Sequence, residues 1–255
     1  MPFNYIGTWT VLKREIKRTI KIGNQVIWPP IISTLLYTFV FGFSLGNKIT
    51  DIDGIKYLEF LIPGLIMMSI IDESYSEGSS SLFIAKFMNS LQEMLIAPLA
   101  SFEIIIGYVT GGILRGIVIG NLIFIISTLF IGISIKHYFY YFSFMILVSI
   151  IFSSIGAVIA LWAETFDNMA ILSTFFITPL VFLGGVFHSI NLLPESIHII
   201  SLYNPIFYMI DGFRYSITGN YTVSPLLSLG IVILFSIIFF GLALFLFEKG
   251  YKIKE

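Results

Sequence analysis

The stretch "SIIDESYSEGSSSLF", residues 69–83, decides how many times this chain can cross a lipid bilayer. It follows residues 60–71, which are apolar but fewer than the about 20 residues that a spanning helix needs. Asp72, Glu73 and Glu77 lie in the Ser-rich segment that would complete the span. The stretch is therefore either a membrane helix that carries three acids or a polar loop, and the rest of the chain must distinguish the two.

The composition of the chain is typical of an integral membrane protein. Of its 255 residues, 57% are hydrophobic and 11% are charged, and the mean hydropathy is +0.95. A soluble domain carries about 25% charged residues because its surface faces water. The net charge of −1 disfavours a nucleic-acid partner, whose phosphates require a basic face. Because the chain has no cysteine, disulfides, thiol nucleophiles and zinc–thiolate sites are excluded.

The apolar segments predict an all-α polytopic membrane protein with six transmembrane helices. The predicted spans are residues 26–46, 57–83, 103–133, 139–162, 168–187 and 224–247. Residues 188–215, between spans five and six, are also apolar, but Pro194 and Pro205 divide them into pieces too short to span. Backbone of this kind is tolerated at membrane depth only against protein, so we expect short re-entrant helices there.

The distribution of Lys and Arg predicts the orientation. Nine of these residues fall on the face that the two termini share, and four, including Arg214, fall on the opposite face. The positive-inside rule then places both termini in the cytoplasm. Both termini share a side only if the number of spans is even, so the charge distribution favours membrane helix over a loop for residues 72–81.

The N-terminal segment predicts an amphipathic helix on the cytoplasmic leaflet. Apolar residues recur at helical spacing on a face opposite the basic residues: Ile6, Trp9, Leu12, Ile16 and Ile20. The alternative is an ordinary polar segment that leads into the first span.

Catalytic motifs are missing from the sequence. It contains no G-x-x-x-x-G-K-[ST] phosphate loop, no H-E-x-x-H and no G-x-S-x-G. Its three histidines are scattered without metal-ligand spacing. We therefore predict no catalytic, cofactor-binding or metal-binding residues, and any energy for a reaction must come from another chain.

Three segments carry a resemblance to a known family: "IPGLIMMSII" (62–71), "AKFMNSLQEMLIAPLASFEIIIGYVTGGILRG" (85–116) and "TPLVFLGGVFHSINLLPESIHIISLYNPIFYMIDGFRY" (178–215). In order and spacing they resemble permease subunits of ABC-2 type exporters over essentially the whole chain. The resemblance implies one transmembrane domain over residues 1–255, in the cell (inner) membrane. It also implies a dimer that works with two copies of a separate ABC ATP-binding subunit, which binds the ATP. We expect a homodimer, with a heterodimer as the alternative.

The resemblance further implies a coupling helix at residues 85–97, between spans two and three. Phe87, Leu91 and Leu95 have helical spacing there, and Glu93 lies on another face. We expect this helix to dock on the ATP-binding subunit; the alternative is a plain surface helix. The re-entrant segment of the family corresponds to residues 188–215, which include Asp211 and Arg214.

Residues 69–80 place several polar side chains on one helix face: Ser69, Asp72, Glu73, Ser76, Glu77 and Ser80. Arg115 in span three lies at a matching depth, and we predict that it pairs with Asp72 or Glu73, because an unpaired charge in lipid is costly. Alternatively, Arg115 faces a wet cavity and contacts an anionic substrate. A secondary transporter or channel that uses these charges is the alternative function, although the internal repeats usual in such transporters are missing.

Span three also carries glycines at four-residue spacing: Gly107, Gly111, Gly112, Gly116 and Gly120. Small residues at this spacing let helix backbones approach closely in a membrane. We predict a helix-packing face, whose neighbour the sequence does not identify.

Overall fold

A computed structural model describes residues 4–44, 51–52 and 54–252, and nearly all of this part of the chain is helical. Its helices are α1 Tyr5–Lys21, α2 Gly23–Ser44, α3 Tyr57–Phe87, α4 Ser90–Ile96, α5 Ser101–Ile131, α6 Tyr138–Trp162, α7 Phe166–Leu172, α8 Thr178–Leu183, α9 Glu195–Tyr203, α10 Pro205–Thr218 and α11 Pro225–Glu248. Two short strands, β1 Asp51–Ile52 and β2 Ile55–Lys56, form an antiparallel pair in which Asp51 lies opposite Lys56.

Five of the described helical segments are long and apolar enough to cross a membrane. They lie in α2, α5, α6, α11 and the segment Phe166–Leu183, which combines α7, a π-helical stretch and α8. The predicted all-α polytopic fold is confirmed at this level. α3 is not one of these five, because its acidic residues make it too highly charged for a typical span.

The acidic, Ser-rich stretch of residues 69–83 lies entirely within α3, a continuous helix of 31 residues. At 1.5 Å per residue, such a helix is about 46 Å long, which exceeds the about 30 Å of a bilayer core. Its acids do not interrupt it: Glu73 and Glu77 pair with arginines of neighbouring helices, and Asp72 is half-buried without an ion pair among the described residues. The loop interpretation of residues 72–81 is therefore wrong for this structure.

Several predicted boundaries differ from the structure. The last residues of predicted span one, 45–46, lie outside the described residues. The fifth predicted span, 168–187, is replaced by Phe166–Leu183, because the backbone turns at Gly185 with a φ of 84°. The predicted coupling helix, 85–97, is not continuous: α3 ends at Phe87, Asn89 adopts a left-handed φ of 58°, and α4 then begins at Ser90.

The re-entrant prediction, residues 188–215, corresponds to a 3₁₀ turn followed by α9 and α10. Pro194 immediately precedes α9, and Pro205 is the first residue of α10, where a missing N–H costs little. Asn204 caps α10 by accepting a hydrogen bond of 3.0 Å from the Ile206 N–H. The two prolines therefore separate the helices, as the sequence indicated.

The centre of the fold is the packing of α3 against α6 and α5. Gly78 on α3 lies against the backbone of Ser153 on α6, and a Cβ there would come within 2.8 Å of Ser153 Cα. Gly156 on α6 lies against α3 in the same way: a Cβ there would lie 2.6 Å from the Tyr75 carbonyl oxygen. Helix backbones approach this closely only where side chains are absent, so these glycines set the short distance between α3 and α6.

Candidate functional site

Six charged side chains from α1, α3 and α5 meet in one largely buried group, which we call the acid–arginine cluster: Arg14, Glu15, Arg18, Glu73, Glu77 and Arg115. The cluster holds three guanidinium groups and three carboxylates. Its formal charge is therefore zero, which is the condition under which charges are tolerated in a protein interior.

Packing between α1 and α5 brings the cluster together. The two helices run side by side, with Val11 against Gly107 and Glu15 against Gly111. A Cβ at Gly107 would lie 3.1 Å from Val11 Cβ, and one at Gly111 would lie 3.3 Å from Glu15 Cβ. At the start of both helices, Glu103 accepts hydrogen bonds from the backbone N–H groups of Asn4 and Ala100. Gly107 and Gly111, the first two of the predicted glycines at four-residue spacing, therefore form the surface against which α1 packs.

The deepest part of the cluster joins α5 to α3. Arg115 Nε donates to Glu73 Oε2 at 2.6 Å, and Arg115 Nη1 donates to Glu77 Oε2 at 2.9 Å. Glu77 is fully buried, with 0% of its side chain exposed. The sequence predicted a partner for Arg115 in Asp72 or Glu73; the structure selects Glu73 and adds Glu77.

Glu77 also joins α3 to α1. Its other oxygen, Oε1, lies 2.6 Å from Arg18 Nη2 and accepts a hydrogen bond of 3.1 Å from the Thr19 hydroxyl. One carboxylate is therefore shared by two arginines from different helices. Because charge-assisted hydrogen bonds are about twice as strong as neutral ones, Glu77 is the residue that ties the three helices together.

Glu15 forms the other half of the cluster. Arg14 Nη2 donates to Glu15 Oε1 at 2.7 Å and to the Tyr108 hydroxyl at 2.7 Å, and the Ser81 hydroxyl donates to Glu15 Oε2. The guanidinium of Arg14 also lies over the Tyr108 ring, 5.2 Å from its centroid. Glu15 is thus held by its own helix and by α3, while Arg14 reaches α5.

Sequence reasoning missed the α1 half of this cluster. Arg14 and Arg18 belong to the nine basic residues whose distribution predicts the orientation, whereas the structure turns their side chains inward. The available signal was Glu15, the only acid among the residues of α1. An isolated acid within a basic amphipathic helix indicates that some of the basic residues have a buried partner.

The predicted polar face of α3 divides into two edges. Glu73, Glu77 and Ser81, at four-residue spacing, face α1 and α5. Asp72, by contrast, is half-buried and has no ion pair within the described part of the chain. Ser76 and Ser80, at the same spacing from Asp72, are also half-buried. We call Asp72, Ser76 and Ser80 the open edge of α3.

The second set of glycines on α5 faces α3 and α6 within the same chain. A Cβ at Gly112 would lie 3.0 Å from the Ser74 carbonyl oxygen, and one at Gly116 would lie 2.6 Å from the Ser149 hydroxyl. Gly120 packs against Met145 and Ile70 in the same way. The five predicted glycines therefore form two stripes, one toward α1 and one toward the central helices.

The predicted coupling residues lie at the end of the bundle where α3 ends, and they differ in how exposed they are. Phe87 is 70% exposed, whereas Leu91 is 1% exposed and packs in the core. Leu95, one turn further along α4, is exposed, and Glu93 is also exposed. The turn at Asn89 rotates α4 relative to α3, so the three apolar residues do not form the single face that their spacing predicted.

A different apolar surface is exposed at this end, and we call it the α4 surface: Phe87, Met88, Leu95, Ile96 and Phe166. Next to it lies a cavity of about 270 Å³. Lys252 donates a hydrogen bond of 2.7 Å to Glu164 at the cavity wall and thereby lowers the pKa of that carboxyl. Phe87 and Phe166 contact each other in this surface, and exposed apolar side chains beside charged groups are typical of a protein interaction site.

The opposite end of the bundle is polar. Arg214 on α10 is buried, donates to the Gly185 and Phe60 carbonyl oxygens at 2.6 and 3.2 Å, and stacks over the Phe60 ring. Asp211, one turn earlier, accepts hydrogen bonds from the backbone N–H groups of Thr222 and Val223. Both side chains stabilise the connections between helices. Arg214 had been predicted as a charge on the outer face, whereas it lies inside the protein.

The described residues contain no group of three His, Asp or Glu side chains that could hold a metal ion. The arrangement instead connects helices: a neutral charge cluster ties α1 to α3 and α5. A model of the ABC-2 type transporter family matches residues 7–218. The chain belongs to the ABC-2 type transporter family. The resemblance seen in three sequence segments is confirmed.

Two relatives match nearly the whole chain. It is 38% identical over 246 residues to the inner membrane transport permease YadH of Escherichia coli (strain K12), which covers 95% of this chain and 96% of YadH. It is 22% identical over 239 residues to nodulation protein J of Rhizobium leguminosarum bv. viciae, with 92% and 90% covered. Family and fold together identify a multi-pass membrane transport permease of the ABC-2 type.

Proposed function

We propose that the chain is the membrane-spanning subunit of an ATP-driven exporter. Two copies would form the substrate pathway, and two copies of a separate ABC ATP-binding subunit would supply the energy. The observation that carries the proposal is family membership over residues 7–218, joined to an exposed apolar surface at the end of the bundle where a soluble partner would bind. The test is whether a purified complex with the ATP-binding subunit couples ATP hydrolysis to transport in vesicles.

If α3 is a sixth span, the C-terminal end of α3, the short helix α4 and the N-terminal end of α5 lie on the same side of the membrane as both termini. The distribution of Lys and Arg supports a cytoplasmic location for that side. The bundle is then one transmembrane domain over residues 1–255. The open edge of α3 would border the pathway, because a polar edge without an ion pair avoids lipid and favours a wet surface.

The alternative function, a secondary transporter or channel, depends on carboxylates that can exchange an ion. Glu73 and Glu77 are instead bound by Arg115, and Glu77 is bound by Arg18 as well. Carboxylates that are paired in this way serve better as connections between helices. We therefore propose that the acid–arginine cluster transmits movement of α1 to α3 and α5 when the ATP-binding subunits close.

Single cysteines in this cysteine-free chain test the topology. We expect Gln92→Cys, Thr165→Cys and Lys252→Cys to be shielded from an impermeant thiol reagent in intact cells. Ser134→Cys, Ser196→Cys and Ser224→Cys, at the opposite end, should react. Gln92 is an exposed residue of α4, and the other five positions lie at helix ends or in connections, so the substitutions leave the helix packing intact. Labelling of Lys252→Cys from outside would contradict an even number of spans.

Acidic substitutions on the α4 surface test the docking of the ATP-binding subunit. Phe87→Asp combined with Ile96→Asp should release that subunit while membrane abundance stays at the wild-type level. Both side chains are largely exposed, at 70% and 86%, and apolar residues at the centre of an interface usually carry most of its energy. Copurification of the two subunits, followed by quantification of each, measures the effect.

The matched control is Tyr221→Asp, which places an acid at an exposed aromatic position at the other end of the bundle. It should leave copurification unchanged. Leu91 is unsuitable for this test because it packs in the core, where an acid would disturb folding. If the Phe87 and Ile96 double variant retains its partner at the wild-type ratio, α4 does not form the docking surface.

A further inference from the structure

The elbow between α1 and α2 encloses a cavity of about 400 Å³, which we call the elbow cavity. Its walls come from the end of α1, the start of α2 and the middle of α5. Lys21 and Asn24 line it on the elbow side, and Val118 and Ile119 line it on the α5 side. Because Ile20, Val26 and Ile27 also line it, the cavity is mainly apolar, and its polar groups at the elbow include the positively charged Lys21.

Lys21 supplies the available positive charge of this cavity. Arg115 also reaches the lining, but its guanidinium is held by Glu73 and Glu77. Lys21 is exposed and makes no hydrogen bond or ion pair with any residue that the structure describes. Lys13 and Lys17 precede it at four-residue spacing on the same exposed face of α1, so the approach to the cavity is basic as well.

The division of basic residues on α1 separates two roles. Arg14 and Arg18 turn inward and are neutralised in the acid–arginine cluster. The three lysines turn outward and are left without an acidic partner among the described residues. A row of lysines beside exposed Trp9 and Ile20 is the pattern of a helix that contacts anionic lipid headgroups.

The cavity lies beside the start of a candidate membrane span, which is where lipid headgroups are located. The candidate span Gly23–Gly42 begins two residues after Lys21, and exposed Trp28 lies within its first two turns. Tryptophan is enriched at the boundary between lipid and water. A group bound beside Lys21 would therefore lie at the end of a span, with the apolar α5 wall directed toward the acyl chains.

We infer that the elbow cavity binds the headgroup of one anionic glycerophospholipid from the cytoplasmic leaflet. The phosphate would contact Lys21 and Asn24, and the upper acyl chains would lie against Val118 and Ile119. The inference rests on the proposed orientation of the termini. A lipid at this site would bridge α1 to α5 at the edge of the acid–arginine cluster and so stabilise the elbow.

Native mass spectrometry of the purified full chain in detergent tests the site. Phosphatidylglycerol and phosphatidylcholine with identical acyl chains are titrated separately, and we expect preferential binding of phosphatidylglycerol. Lys21→Gln should weaken phosphatidylglycerol binding about fivefold, since one lysine near a lipid surface has an effect of that order. Val118→Trp, which fills the cavity from its exposed α5 side, should weaken binding of both lipids.

Lys13→Gln is the control, because it removes the same charge from the same face about 12 Å away along the helix. It should change binding less than twofold. Equal losses in Lys13→Gln and Lys21→Gln would show a diffuse basic surface and overturn the cavity assignment, as would unchanged binding in Val118→Trp. Displacement of phosphatidylglycerol by millimolar inorganic phosphate would mean a free-phosphate site instead. None of these outcomes depends on the ATP-binding subunit, so a failure here leaves the exporter proposal untouched.

Discussion

Replacing Arg115 with Leu should sharply reduce the amount of folded protein in the membrane, and adding Glu73→Leu should restore part of it. Arg115 is the described cation that pairs with Glu73, so the single change strands that carboxylate. Breaking a buried ion pair by removing one partner typically costs about 3–5 kcal/mol, whereas replacing both partners by apolar residues is often close to neutral. Membrane abundance and detergent melting temperature measure the effect.

The neighbouring acid Asp72 provides a matched control for this experiment. It lies next to Glu73 on α3 but makes no ion pair among the residues that the structure describes. Asp72→Leu should therefore leave the loss in Arg115→Leu unrescued. If Asp72→Leu rescued the variant as well as Glu73→Leu does, the assigned pairing would be wrong. Normal abundance of Arg115→Leu with failed export would instead favour contact between Arg115 and an anionic substrate.

Gly156→Ala should destabilise the protein although it adds only one methyl group. The added Cβ would lie 2.6 Å from the Tyr75 carbonyl oxygen and 2.7 Å from the Ser79 nitrogen, both backbone atoms of α3. Backbone cannot move aside as a flexible side chain can, so α3 and α6 must separate. Overpacking of this kind costs about 1–3 kcal/mol, and here we expect the upper end of that range. Thermal unfolding of the purified protein measures it.

Gly230→Ala and Gly241→Ala on α11 are the corresponding controls. A Cβ at either position meets no atom within 4 Å. Alanine is favoured over glycine in a helix by about 1 kcal/mol, so both changes should be neutral or stabilising. If Gly156→Ala behaved like these two, the close contact between α3 and α6 would not be a requirement of the fold.

The two main predictions are connected through α3. Separation of α3 from α6 displaces Glu73 and Glu77, which the glycine contacts position against Arg115. Gly156→Ala should therefore reduce export as well as stability. A variant that loses stability but exports normally per folded molecule would show that the cluster tolerates this displacement.

The amino-acid sequence determined the class of the protein and most of its helices. Low charge content and long apolar segments are sufficient for a multi-pass helical membrane protein, because lipid permits few other backbone structures. The parity argument from lysine and arginine also favoured helix through residues 72–81, and α3 is continuous there. Glycines at four-residue spacing on α5 marked helix contacts, since such spacing repeats along one face.

Only the tertiary structure decided which charges meet. Asp72 and Glu73 are adjacent, and both match the depth of Arg115, yet a difference of about 100° around the helix axis separates a paired acid from an unpaired one. Likewise, Arg14 and Lys13 are neighbours in sequence, but one turns into the cluster and the other turns away from it. Periodicity identifies the faces of a helix, whereas the rotation of one helix against another depends on packing along its whole length. That rotation placed Glu77 between Arg18 and Arg115, and it left Leu91 buried where its spacing had indicated an exposed face.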